Sequence, residues 1–296
     1  MTTGQGRKIL FIINPGSGNN AISWPVIIND YFKSLNHIIE LFHLPKNCSL
    51  QIINEKIALF LPQQVIAVGG DGTVKLVATC LLQKNMSLGI LPAGSANGLA
   101  KELGISEDPV KALDVVVNGN IKKIHVTMVN SQVCIHLGDI GFNAFVIKKF
   151  ETQHGRGMWG YLVASIKVLL KKPLMEVEMK IDDKTINTKA AMIVIANATK
   201  YGSGALINPV GKLDDELFEV IAVKKISLHE IFKMTVSHAA YDPSKTEIFQ
   251  TNNLVIKSGK KVHFQIDGEY FGKVNELKAS LIPQALQIMV PALVEA

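Results

Sequence analysis

The sequence predicts an α/β domain built on parallel strands, followed by a domain of antiparallel strands. Three observations carry that expectation. Apolar runs of strand length alternate with segments of helical periodicity through about residue 118. Three of the early strands end in turns rich in glycine or small residues, as at the ligand-binding edge of an open parallel sheet. From Lys122 onward the texture changes to apparent strands separated by turn residues.

Taken in order, Lys8 to Asn14 is a continuous apolar run, as expected of a strand buried on both faces, and Pro15-Gly-Ser-Gly18 breaks it. Pro25 to Leu35 is expected to be helical, Ile38 to Leu44 a second strand, and Leu50 to Phe60 a segment of mixed helical periodicity. Gln64 to Val68 reads as the third strand, Val74 to Gln83 as a helix, and Leu88 to Leu91 as a short strand. The boundary is expected near Gly119-Asn120, giving domains 1–120 and 121–296, with the last residues free to return to the first domain. In the second domain the expected strands are Ile124 to Val129, Val133 to Leu137, Met175 to Ile181, Ala190 to Ala198, Leu217 to Val223, Asn253 to Ile256 and Val262 to Ile266. Helices are expected around Gly160 to Lys171 and Leu228 to Ala239. No internal repeat or low-complexity tract interrupts the chain.

The composition, 48% hydrophobic and 19% charged over 296 residues, is that of a folded protein and not of a disordered one. No stretch approaches the roughly 18 apolar residues of a membrane-spanning helix, and the opening MTTGQGRK lacks the features of a secretory signal. A cytoplasmic protein is expected. Cys48, Cys80 and Cys134 have no metal-ligand spacing and read as reduced, packed thiols. The net charge of +6 is scattered in pairs such as Lys148-Lys149 and Lys260-Lys261, and aromatics are 6% of the chain. That pattern favours a solvated or membrane-facing surface over nucleic-acid readout.

The strongest chemical signal is Gly69-Gly-Asp-Gly-Thr73, directly after the strand Val65 to Val68. The glycines let backbone amides turn toward a bound anion and let phosphates approach closely, while Asp71 offers a carboxylate to a phosphate-bound Mg²⁺. The competing reading of Asp71 is a helix cap. Asn14-Pro-Gly-Ser-Gly18 follows the first strand and can cradle phosphates by the same logic, although no Gly-Lys-Ser/Thr closes it as in a Walker A loop. Leu91-Pro-Ala-Gly-Ser-Ala-Asn97 ends a strand and opens a helix, which places Ser95 at a positive helix terminus. Far along the chain, Gln265-Ile-Asp-Gly-Glu269 sets two carboxylates about a glycine. One, Asp267, suits metal binding or orientation, and the other, Glu269, suits a base that takes a hydroxyl proton. An ordinary Asp-Gly hairpin is the alternative. Gly155-Arg-Gly-Met-Trp-Gly160 matches GxGxxG literally, but it follows polar residues and lacks the βαβ setting of a dinucleotide site.

With NPGSG, GGDGT, LPAGSAN and IDGE in that order, the chain resembles the bacterial diacylglycerol kinase family of soluble lipid kinases, related to sphingosine and ceramide kinases. Gly138 to Ala144, Arg156-Gly157 and Ala196 to Pro209 look similar too. The resemblance implies an α/β nucleotide domain of NAD-kinase and diacylglycerol-kinase type, a C-terminal antiparallel β-sandwich, and catalysis in a cleft between them. It implies that Gly69, Gly70, Asp71, Gly72, Thr73 and Ser95 bind ATP and that Glu269 is the proton acceptor; from the residues themselves, Asn14 and Gly18 are expected to join the nucleotide site, and Asp71 and Asp267 to stand beside Glu269 in catalysis. It further implies Mg²⁺ on a loop resembling Lys212 to Leu217, held by Lys212, Asp215 and Leu217. The expected partners are ATP and a lipid at a membrane surface, reached by peripheral contact at the inner face, with Met158-Trp159 as plausible contacts. A homodimer is possible by analogy, and no nucleic acid is expected. Three departures stand out: Lys75-Leu76 replace the usual Asn-Glu, Asn97-Gly98 replace Asn-Asp, and Gly-Phe-Asp-Ala becomes Gly141-Phe-Asn143-Ala144. The alternatives are an NAD kinase, which shares GGDGT but not IDGE, and a catalytically silent nucleotide- or lipid-binding relative.

Overall fold

The computed structural model describes residues 6–17, 22–151, 157–170, 174–200, 206–227, 229–230 and 242–292, without the side chains of residues 150, 151, 157–159, 161 and 162. The chain divides into two compact units, Met1–Ile124 with Gln284–Ala296, and His125–Pro283.

The first unit contains β1 (Lys8–Ile13), α1 (Trp24–Phe32), β2 (Ile38–His43), α2 (Leu50–Phe60), β3 (Gln64–Gly69), α3 (Asp71–Leu81), β4 (Ser87–Pro92), α4 (Gly98–Glu102) and α5 (Pro109–Asn118). Its strands run in the order β2-β1-β3-β4, all parallel, and Gln287 and Ile288 near the far end of the chain extend β4 in parallel. Every residue of β3 and β4 is buried, which explains why they read as unbroken apolar runs. The helices bury one stripe each: Trp24, Ile28 and Phe32 on α1, Ile53 and Ile57 on α2, and Val74, Val77, Ala78 and Leu81 on α3. Each buried Val, Leu, Ile or Phe among them contributes about 1.5–3 kcal/mol of transfer free energy. Because β1 leads to β2 on one side and β3 leads to β4 on the other, right-handed crossovers carry α1 and α3 to opposite faces. The strand order reverses between β1 and β3, so the ends of these two strands open a crevice.

The second unit takes up β5 (Asn120–Val129), which starts in the first, and continues with β6 (Gln132–Cys134), β7 (Leu137–Gly141), α6 (Phe142–Glu151) and α7 (Gly157–Leu169). After these come β8 (Met175–Ile181), β9 (Lys184–Ala190), β10 (Met192–Ala196), β11 (Phe218–Val223), β12 (Thr246–Thr251), β13 (Asn253–Ile266) and β14 (Glu269–Val290). β12-β11-β10-β7-β13 is an antiparallel sheet. β13 is interrupted by register shifts and belongs to two layers: Leu254–Ser258 pair with β8, whereas Phe264–Ile266 pair with β7. Ile193, Ile195, Phe218 and Val220 fill the core with Val177, Met179, Leu254 and Ile256. On the reverse face Val194, Ile221 and Val223 pack with Phe142, Val146, Ala164 and Val168 of the two helices.

The sequence expectations need several amendments. The expected strand Val133 to Leu137 is two strands, because the chain breaks at Ile135-His136 to meet a carboxylate described below. Asn253 to Ile256 and Val262 to Ile266 are parts of one strand, β13, and β9, β12, β14, α5 and α6 are additions. Residues 228 and 231–239 of the expected second helix lie outside the described residues, as do Gly18 and the side chains of Met158 and Trp159.

Candidate active site

In the first unit Asn14, Gly69–Thr73 and Ser95 stand on the turns after β1, β3 and β4. The amide of Asn14 donates to the Val68 carbonyl at 3.0 Å, which extends β1 past its last residue. The Asn14 side chain then bridges two turns: its Nδ2 donates to Thr73 Oγ1 at 3.0 Å, while its Oδ1 accepts from the Gly16 amide at 3.0 Å. Gly69 and Gly94 are required by packing. A Cβ on Gly69 would lie 2.3 Å from Thr73 Oγ1, and one on Gly94 would lie 2.4 Å from Gly70 Cα, so the turns after β3 and β4 touch backbone to backbone. Gly72 differs, since a Cβ there would meet nothing within 4 Å. Its exposed position in the first turn of α3 leaves room for a ligand beside amides that have no intrahelical acceptor.

Asp71 is held firmly. Its Oδ2 accepts from the Gly98 amide at 3.0 Å and its Oδ1 from the Leu99 amide at 3.1 Å, so it caps α4 and locks the second turn to the third. Each oxygen keeps a further lone-pair direction. Asn97 closes the third turn from within, in a left-handed conformation with φ 52°. Its Oδ1 accepts from the Gly94 amide at 2.9 Å, and its Nδ2 donates to the Gly94 carbonyl at 3.0 Å and to Glu107 Oε1 at 3.2 Å. The Asn97 bond and, after it, the Lys101 ammonium hold the Glu107 carboxyl below the usual range. Ser95 is exposed on this turn. Gly94 and Asn97 were visible only as members of a motif; a non-glycine closing residue three positions after a glycine was the available sign.

In the second unit Asp267 and Gly268, with φ 51° and 85°, form the two-residue turn that joins β13 to β14 and pairs Ile266 with Glu269. The two predicted carboxylates have different surroundings. Asp267 Oδ1 accepts from the amides of His136 at 3.0 Å and Leu137 at 3.2 Å, and its Oδ2 from Ile135 at 3.3 Å. These bonds pin the turn to the break between β6 and β7. Glu269 is exposed. Asn143, at the position where the resemblance leads one to expect aspartate, donates from Nδ2 to Asp139 Oδ2 at 2.6 Å, so a carboxylate lies next to it on β7.

The candidate metal loop is anchored by the His125 amide, which donates to the Leu213 carbonyl at 2.8 Å. Asp215 is half-buried, and its Oδ1 accepts from the Leu217 amide at 3.4 Å; Glu216 turns the chain with φ 62°. Carbonyls of Lys212 and Leu217 with one carboxylate are hard oxygen donors and fit Mg²⁺. Among the described residues no group of three or more His, Cys, Asp or Glu is placed to hold a metal, so carbonyls and water would complete such a site. Behind the loop Glu219 is fully buried and accepts from Asn208 Nδ2 at 2.6 Å and Gln250 Nε2 at 3.0 Å. Burial pushes its carboxyl above the usual range, against the lowering effect of these bonds.

Comparison with known proteins matches a family model to each of two segments. Residues 8–129 match the family described as diacylglycerol kinase catalytic domain, and residues 139–290 match the YegS C-terminal NAD kinase beta sandwich-like domain. The diacylglycerol kinase of Bacillus subtilis is 29% identical over 218 residues, covering 70% of this chain and 71% of its own. The Chromohalobacter salexigens protein named "Probable lipid kinase YegS-like" is 28% identical over 238 residues, covering 77% of this chain and 76% of its own. A crystal structure of a diacylglycerol kinase from Bacillus anthracis superimposes with a TM-score of 0.72 at 16% identity over 97% of this chain and 98% of that one, a likeness of fold.

Proposed function

Since the chain belongs to the bacterial soluble lipid kinase family with a diacylglycerol kinase catalytic domain, and is thus a lipid kinase with an alcohol acceptor, we propose how its residues divide the work. ATP phosphates lie against the turns at Asn14, Gly69–Thr73 and Ser95, and Glu269 is the general base. Diacylglycerol, the substrate in the names of several relatives, is the first acceptor to test. The observation that carries the reading is Gly72, a glycine with open space about it at a helix N-terminus, beside the crevice where the strand order reverses.

In the reaction the acceptor hydroxyl oxygen attacks the γ-phosphorus as the bond from that phosphorus to the ADP oxygen breaks. The hydroxyl proton passes to the Glu269 carboxylate and then to water, leaving phosphorylated lipid and ADP. Such a transfer depends mostly on positioning and charge neutralisation. The amides of the three turns supply fixed partial charge to the phosphates, and Asn14 holds the first two turns in register through Thr73. Asp71 positions the third turn through Gly98 and Leu99, and Asp267 fixes the turn that presents Glu269. Mg²⁺, held by Lys212, Asp215 and Leu217, would supply positive charge that stiffens the loop. We place the lipid at a membrane surface reached by peripheral contact; no helix among the described residues is long and apolar enough to cross a bilayer.

The test is transfer of labelled γ-phosphate from ATP to a panel of micellar lipids, with Glu269→Gln in parallel. A labelled lipid product whose rate falls about 10²- to 10⁴-fold in the variant is expected of a general base. Equal rates would remove Glu269 from that role.

A further inference from the structure

A buried polar relay in the second unit ends at the turn before Glu269. Asp139 lies in the middle of β7 with 0% exposure. Its Oδ1 accepts from the Ala144 amide at 2.8 Å, and its Oδ2 accepts from Asn143 Nδ2 at 2.6 Å and Gln265 Nε2 at 2.5 Å. A carboxylate so deep is tolerated only with donors of this kind around it. Gln265 stands directly opposite Asp139 in the β7–β13 register. Its Oε1 accepts from the Gly268 amide at 2.8 Å. Gly268 immediately precedes Glu269.

The charge at 139 matters for a reason that shape does not supply. An ionised carboxylate only accepts, so it obliges Gln265 to present its NH₂ to Asp139 and its oxygen to Gly268. An amide at 139 would accept or donate, Gln265 would be free to turn over, and the Gly268 amide would then face another N–H. We infer that Asp139 is a positioning residue for the reaction, fixing through Gln265 the turn that carries the Glu269 carboxylate. The role rests on Glu269 being the base. Asn143 joins it, because its NH₂ donates to the same Asp139 oxygen, Oδ2, that accepts from Gln265.

The experiment is a double-mutant cycle between Asp139→Asn and Glu269→Gln, with kcat and the KM for ATP measured in the lipid assay below the melting temperature of every variant. The expected result is a fall in kcat of about tenfold or more for D139N with the ATP KM unchanged, and at most about a twofold further fall when D139N is added to E269Q, since residues acting through one group are not additive. An equal loss from D139N in both backgrounds would mean a merely structural role and overturn the inference, as would wild-type kcat in D139N. If D139N does not fold, Gln265→Met breaks the same relay while keeping Asp139 with its helix donors, and the same two criteria apply. Wild-type turnover in E269Q alone would instead remove the base itself, a separate result from loss of the relay.

Discussion

Replacing Gly72 with alanine separates what the fold needs from what the ligand needs. The new Cβ meets no atom within 4 Å, and Gly72 is not among the glycines of positive φ, so alanine fits without strain. Removing a glycine at a compatible position stabilises the folded chain by about 0.4–1 kcal/mol through the unfolded state. For a chain of this size that is a rise of roughly 1–3 °C in Tm. A methyl group standing where phosphate approaches the helix amides would cost at least one charge-assisted hydrogen bond, about 1.5–3 kcal/mol. The ATP KM should therefore rise about 10- to 100-fold while Tm holds or climbs, read by thermal melting and by the phosphotransfer assay. Gly94→Ala is the control of opposite character. Its Cβ would sit 2.4 Å from Gly70 Cα and 2.9 Å from Asn97 Oδ1, and both belong to the packed turns. Overpacking of about 1–3 kcal/mol should lower Tm along with ATP affinity. An unchanged ATP KM in G72A would refute the placement of phosphate against this turn.

Four further outcomes follow from the same geometry. Asp267→Ala strips the acceptor from three backbone amides and should cost about 1–3 kcal/mol in denaturant titration, with the ATP KM unaltered. Glu219→Gln should alter the pH dependence of stability: burial raises the folded carboxyl above its unfolded range, so wild type loses stability as pH rises through that interval, while the variant lacks that contribution, as the difference between melting curves from about pH 4 to 8 would reveal. Cys80, whose thiol burial pushes up to about 11, should resist alkylation at neutral pH in the native protein and react on unfolding, as mass spectrometry would register. Asp215→Asn should abolish any rise in Tm that Mg²⁺ gives the wild type; an equal rise in both would remove Asp215 from the metal site.

The parallel half was legible because strands buried on both faces write themselves as unbroken apolar runs, and the turn after each carries a small-residue signature. The antiparallel half was less so. β8 alternates strictly between buried and exposed residues, and its bounds were anticipated, but its partner β9 is a polar edge strand, Lys-Thr-Ile-Asn-Thr-Lys-Ala, with little to distinguish it from a loop. β14 changes environment along its length, so no single period marks it. At the site, glycines and carboxylates in motifs stood out, whereas Asp139 and Gln265, although both lay in quoted segments, carried no sign of their pairing. A lone polar residue within an apolar strand gives no clue to its partner until the register places it opposite another. Asp71 could be read as a metal ligand or a cap; the structure gives it two capping bonds to α4, a helix other than the one it opens.

β14 also bears on how the chain folds as it is made. Leu88 of β4 pairs with Ile288, and the Gln83 amide bonds to the Ala285 carbonyl. During synthesis β4 therefore emerges as an exposed edge and keeps that edge until nearly all the second unit has left the ribosome. An apolar edge left open so long is a site for pairing with other chains. Arrest or truncation before Ala285 should thus yield a species prone to aggregate, its nucleotide turns already translated but the sheet beneath them unfinished.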